Sequence, residues 1–134
     1  MGIRVEWSDA NHQTYLFHLE APWTWPEYRA VADQVFTEIR NTDHPVATIV
    51  DVTRVKSLPK GDVLSHLQYI ESTMPSNVFA SVLVGAPYIV TTFMNILTRL
   101  RPNAKRIALF AKTMEEAQTL VQQRREQIGL DIPK

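Results

Sequence analysis

The stretch that most constrains this chain is VATIVDV, residues 46–52, where apolar and β-branched side chains run almost without interruption. A strand with one wet face alternates apolar with polar residues, whereas an unbroken run between breakers marks a strand covered on both faces. Breakers stand on each side, Asn41-Thr42-Asp43-His44-Pro45 before it and Leu58-Pro59-Lys60-Gly61-Asp62 after it. The run predicts a central strand of a mainly parallel sheet, and such sheets are assembled from strand-helix-strand units.

The rest of the chain supplies those units. Ile3, Val5 and Trp7 alternate with polar residues, Ser8-Asp9-Ala10-Asn11 signals a turn, and Tyr15, Phe17 and Leu19 alternate again, predicting an opening hairpin. Thr24-Trp25-Pro26-Glu27 joins a capping box to a first-turn proline, and Tyr28, Val31, Ala32, Val35, Phe36 and Ile39 recur at helical spacing, so a first helix runs to about Arg40. Trp23 and Trp25 fit either a hydrophobic staple or an interface. A second helix carries Val63, Leu67, Ile70 and Met74 on one face and stops near Pro75. Residues 78–84 form the next apolar strand. Gly85-Ala86-Pro87 turns the chain into a third helix from Tyr88 to about Leu100, closed by Pro102 and Asn103. Residues 107–111 read as the last strand, and Thr113-Met114-Glu115-Glu116 opens a fourth helix with Ala117, Leu120, Val121 and Ile128 on its buried side. The expected fold is α/β: a mixed sheet of about five strands with an N-terminal hairpin, parallel βαβ units and four helices, in one domain spanning residues 1–134.

Composition removes several kinds of chemistry. Cysteine is absent, which excludes disulfides, thiolate metal sites and a cysteine nucleophile. Lys plus Arg and Asp plus Glu balance at 14 each, so no net field draws the chain to nucleic acid or anionic lipid. The densest basic cluster, Arg99, Arg101, Lys105 and Arg106, suits the negative end of a helix dipole, the alternative being a site for phosphate or an acidic partner. Four glycines, at 2, 61, 85 and 129, write neither a P-loop nor a dinucleotide fingerprint. His12, His18, His44 and His66 lack the close pairing of a metal site, and no metal or cofactor is expected. Ser65 and His66 are no dyad, because consecutive helical residues point about 100° apart. The N-terminus shows no secretory pattern, and the apolar stretches are interrupted well before the roughly 20 residues of a membrane span. A soluble, cytoplasmic protein is the expectation.

The element order resembles the STAS domain, in particular its SpoIIAA-like (anti-sigma-factor antagonist-like) branch. Ile49-Val50-Asp51-Val52-Thr53-Arg54-Val55 is similar to that family's strand ending in an Asp-apolar-Ser/Thr pattern. Arg106-Ile107-Ala108-Leu109-Phe110, followed by Thr113-Met114-Glu115-Glu116-Ala117, is similar to its last strand and final capped helix. The resemblance implies a regulatory, protein-binding module. In phosphorylatable members a serine or threonine opens the helix after that strand; here the position falls on Lys60 or Gly61, so the acceptor hydroxyl is missing, and neither Ser57 nor Ser65 stands in its place.

Candidate sites follow from placement. A strand end, a helix N-terminus, a glycine and a lysine converge between Thr53 and Asp62, so Thr53, Ser57, Lys60, Gly61, Asp62 and His66 form the expected partner-binding surface. Asp51 suits either a ligand or base role or hydrogen bonding within its own turn. On the third helix the stripe Ile89, Phe93, Ile96, Leu97 and Leu100 is accompanied by Tyr88, Val90 and Met94, an apolar arc wider than one sheet-facing side needs. Tyr88, Val90 and Met94 are therefore candidates for a homodimer interface, a partner contact or the lip of a cavity for a lipid-like ligand. The expected function is a non-enzymatic interaction module with an unknown protein partner; the alternative is a carrier or sensor of a small apolar or acidic ligand held between a helix and the sheet. An enzyme would have to assemble Asp51, Lys60 and His66.

Overall fold

The computed structural model describes residues 2–55, 57–100 and 108–129. Its elements are β1 (Ile3–Trp7), β2 (Thr14–Glu20), α1 (Trp25–Arg40), β3 (Val46–Arg54), α2 (Val63–Thr73), β4 (Val78–Val84), α3 (Tyr88–Leu100), β5 (Ala108–Ala111) and α4 (Met114–Gln127). The strands form one mixed sheet in the order β1-β2-β3-β4-β5, antiparallel between β1 and β2 and parallel elsewhere. The hairpin register places Ile3 opposite Leu19, Val5 opposite Phe17 and Trp7 opposite Tyr15, the two alternating apolar sets on one face. Pro102, Asn103 and Ile107, read above as a helix stop and the start of the last strand, lie outside the described residues, as do Arg101, Lys105 and Arg106 of the basic cluster.

Both N-caps form, though neither glutamate closes the full box back to its N-cap amide. Thr24 Oγ1 accepts from Glu27 N at 3.2 Å, and Thr113 Oγ1 accepts from Glu116 N at 3.1 Å while Glu116 Oε1 accepts from Lys112 N at 2.7 Å. Each cap satisfies amide groups that the first helical turn leaves without partners.

The helices divide unequally between the two faces. Sequential parallel strands joined by right-handed crossovers step in one direction and lay their helices on one side; α1 touches α2, and α2 touches α3. Beneath them Tyr15, Phe17, Val46, Val50 and Val52 pack with Ala32, Val35, Phe36 and Ile39 of α1. On the opposite face α4 alone covers β3, β4 and β5, its Ala117 and Val121 against Ala47, Ile49, Ala80 and Val82. Small residues on both sides let this helix approach the sheet closely. Arg125 is also buried here, its guanidinium 4.7 Å from the centre of the Phe79 ring.

Two helical faces differ from the sequence reading. Ile128 follows the last turn of α4 and is exposed rather than buried. On α3 the inward residues are Val90 and Leu97, while Ile89, Ile96 and Leu100 are exposed, so the helix is rotated from the expected stripe. No helix among the described residues is long and apolar enough to cross a membrane.

Two buried phenols couple this core to alkaline pH. Desolvation raises the Tyr15 pKa well above the ordinary value near 10, helped by the 2.6 Å hydrogen bond it donates to Glu38 Oε2 and by that carboxylate's charge. Burial alone raises Tyr28. The unfolded phenols release protons near pH ~10 while the native ones hold them, so the unfolded state binds fewer protons above that pH and stability falls as pH rises. Urea midpoints measured from pH ~8 to ~11.5 are expected to hold steady and then drop above pH ~10, with a shallower drop in Tyr15→Phe.

Candidate functional site

The segment from Thr53 to Asp62 is pinned from below. Trp25, buried at the first helical position of α1, donates its indole N–H to the Pro59 carbonyl at 3.2 Å. The His66 ring, one turn into α2, stacks on Trp25 with centroids 4.9 Å apart and planes 5° from parallel. Gly61 crosses this pair at φ +137°, where a Cβ would sit 3.1 Å from Trp25 Cδ1 and 3.2 Å from His66 Nε2. Glycine is needed there both for the backbone angle and for the close approach. Asp62 closes the segment as the N-cap of α2, accepting from Ser65 N at 3.2 Å.

The sequence candidates separate accordingly. Ser57, Lys60, Gly61 and Asp62 are exposed on the outer surface of the segment. His66 does not face outward: its ring is part of the clamp, and its Nδ1 is buried without a hydrogen-bond partner. Thr53 is exposed and donates its Oγ1 to Asp51 Oδ1 at 2.7 Å, while Thr53 N donates to the same oxygen at 3.0 Å. Asp51 thus holds its own turn and is not assembled with Lys60 and His66. Trp23 and Trp25 are buried and pack edge to face, 5.1 Å between centroids, and Trp23 also meets Tyr28 at 5.7 Å, the staple contact across the Thr24 cap, so neither indole lies on an exposed interface.

A second polar group was not visible in the sequence. On the same sheet face as α4, over β1 and β2, His18 Nε2 lies 3.1 Å from Glu6 Oε2 while its Nδ1 lies 3.8 Å from Asp51 Oδ2. Arg54 pairs with Glu20 at 3.0 Å beside them, and His18, Asp51, Glu20 and Arg54 with Arg4 and Gly2 line a cleft of about 320 Å³. The two carboxylates face opposite nitrogens of one ring, so no single point lies within the roughly 2.0–2.2 Å that metal bonds require of all three. The strand register His18–Asp51 brings this group together, a pairing that spacing along the chain does not reveal.

The other cavity is apolar, about 70 Å³, between α2, α3 and the sheet. Leu67 and Ile70 of α2, Met94 and Leu97 of α3, and Val50 and Leu83 of the sheet line it, with Tyr28 and Ser81 among the polar contributors. α2 has no fully buried residue; Leu67 and Ile70 face this chamber, while Val63 and Ile70 pack against the core beneath α1. Of the three α3 candidates, Met94 lines the cavity, Val90 is buried, and Tyr88 is 86 % exposed. Residues 57–62 line neither of these two cavities, whereas Arg54, at the start of the segment, lines the polar cleft.

Compared with protein-family models, curated proteins and solved structures, the chain finds no match.

The clamp predicts a measurable response. Trp25→Phe removes the indole donor to Pro59 while keeping an aromatic ring, at an expected cost of roughly 1–2 kcal/mol. Tryptic cleavage after Lys60 should then accelerate relative to cleavage elsewhere; unchanged cleavage would mean the indole bond does not hold the segment.

Proposed function

We propose that this chain is a non-enzymatic regulatory or protein-interaction module of SpoIIAA-like kind, cytoplasmic, that binds a protein partner through the outer surface of Thr53–Asp62. One observation carries the reading: Ser57, Lys60, Gly61 and Asp62 are exposed on a segment fixed from beneath by Trp25 and His66. A surface held in one conformation loses little entropy on docking, which favours recognition. The mixed five-stranded sheet with its opening hairpin and four helices supports the SpoIIAA-like assignment through element order. With Pro59, Lys60 and Gly61 at the switch position, binding is constitutive rather than controlled by phosphorylation there.

A photo-crosslinker introduced at Ser57 is expected to capture one partner in cells of the source organism, and Lys60→Glu in the same chain should cut that yield at least tenfold. Equal capture by the charge-reversed chain would count against this surface.

The cavity favours a second reading, a carrier or sensor of a small apolar ligand. Its walls are almost wholly apolar and no residue of α2 beside it is fully buried, but at about 70 Å³ it is well below the roughly 300–1,000 Å³ of most ligand pockets, so α2 would have to move outward to admit more than a few heavy atoms. Native mass spectrometry of the purified chain is expected to show a retained ligand if this holds, lost in Leu83→Trp, which fills the chamber. A bare mass for the unmodified chain would leave the interaction reading alone.

A further inference from the structure

α3 has two apolar lines rather than one. Val90, Met94 and Leu97 point toward the cavity and core, whereas Ile89, Phe93, Ile96 and Leu100 make a separate line that is exposed at Ile89 (50 %) and Leu100 (60 %). At about 100° per residue the second line lies within roughly 60° of arc, centred about a quarter turn from the first. Its spacing is four, three, four, the alternation of a and d positions in a helix-helix seam, which a helix meant for solvent does not need.

The spacing also reads the same in both directions. Two antiparallel copies of α3 related by a two-fold axis would set Ile89 against the partner helix's Leu100 and Phe93 against its Ile96, every contact apolar. The helix, YIVTTFMNILTRL, carries a single charge, Arg99, and no acidic residue, so nothing along the seam repels a second copy. Antiparallel packing also lays each helix C-terminus beside the other's N-terminus, the favourable arrangement of dipoles.

The sheet edge below agrees with this. α3 is the last of the three helices on its face and is followed in the chain by β5, the strand at that edge of the sheet, where Phe110 is also exposed. At the far edge, β1 carries the exposed charges Arg4 and Glu6, which discourage strand addition; β5, ALFA, carries none. A crossover helix runs antiparallel to the strands it joins, so the two-fold that pairs the α3 seams also sets two β5 edges antiparallel.

From these three features we infer that the α3–β5 edge is a self-association surface, and that its occupant is a second copy of this chain docked α3 against α3 in antiparallel register. The inference rests on the interaction-module reading and gives that module its oligomeric form. A seam of four residues is smaller than the roughly 800 Å² per partner of a standard interface, so a reversible dimer with Kd on the order of 10–100 μM is expected.

Sedimentation equilibrium of the full chain from ~5 μM to ~0.5 mM should show monomer passing to dimer over that range. Ile96→Asp and Leu100→Lys are each expected to weaken association at least tenfold; the second, at a mostly exposed position, carries the test should the first disturb folding, which circular dichroism reports. Ile89→Glu and Leu100→Lys, each weakened alone, should associate again when mixed, because antiparallel register sets the two substituted positions against each other. A wild-type chain still monomeric at ~0.5 mM overturns the inference, including the case in which the seam binds lipid vesicles or a foreign helix instead. So does a dimer indifferent to Ile96→Asp and Leu100→Lys, and so does a mixture that fails to recover. Retention of the Lys60-dependent crosslink in a monomeric chain would confine the failure to self-association, leaving the Thr53–Asp62 surface intact.

Discussion

The structure depends on β3 being dry on both sides. Val46, Val50 and Val52 face the layer under α1 to α3, and Ala47 and Ile49 face α4, so this one strand contributes fully buried side chains to both cores. Fully burying a Val or Ile side chain is worth roughly 1.5–3 kcal/mol, and the stabilisation is spent on both faces at once. Thr48 is the polar exception, 2 % exposed, and its hydroxyl donates to Ser81 Oγ at 2.8 Å across to β4. That bond removes the desolvation cost of a buried hydroxyl and favours one register between the two strands.

Much of this was legible because its signals are local. Alternation in β1 and β2, the continuous run in β3 and the Thr24 and Thr113 caps each depend on residues within a few positions of one another. α3 was misread for the opposite reason. Its apolar arc contains two lines, and periodicity finds an apolar arc without saying which part meets the sheet. Only the positions of α2 and β5 decide that Val90 and Leu97 turn inward while Ile89 and Leu100 do not.

The clamp beneath Thr53–Asp62 shows the same limit. Asp62 as a helix cap could be read from its neighbours, but the stack of His66 on Trp25 joins residues far apart in the chain, and the indole bond to Pro59 spans 34 positions. His66 looked like a group for a partner and is instead support for the loop. The His18 cluster was missed because parallel register, not sequence distance, brings Asp51 beside it.

The unbroken strand order has a consequence for ligand chemistry. In doubly wound sheets the order reverses partway, the connections on either side of the reversal leave toward opposite faces, and a crevice opens between them at the carboxyl ends of the strands. Here β2 through β5 follow one another without reversal, and α1, α2 and α3 leave toward a single side. No topological switch point exists to part the loops. Gly85 passes close against Thr53, where a Cβ would come within 2.5 Å of Thr53 Cγ2, and Gly85 N in turn donates to the Ala111 carbonyl. At β4 and β5 the carboxyl edge is therefore closed by its own connections, while at the ends of β2 and β3 the polar cleft lined by Glu20, Asp51 and Arg54 remains, so a ligand approaching this edge meets its opening on the hairpin side.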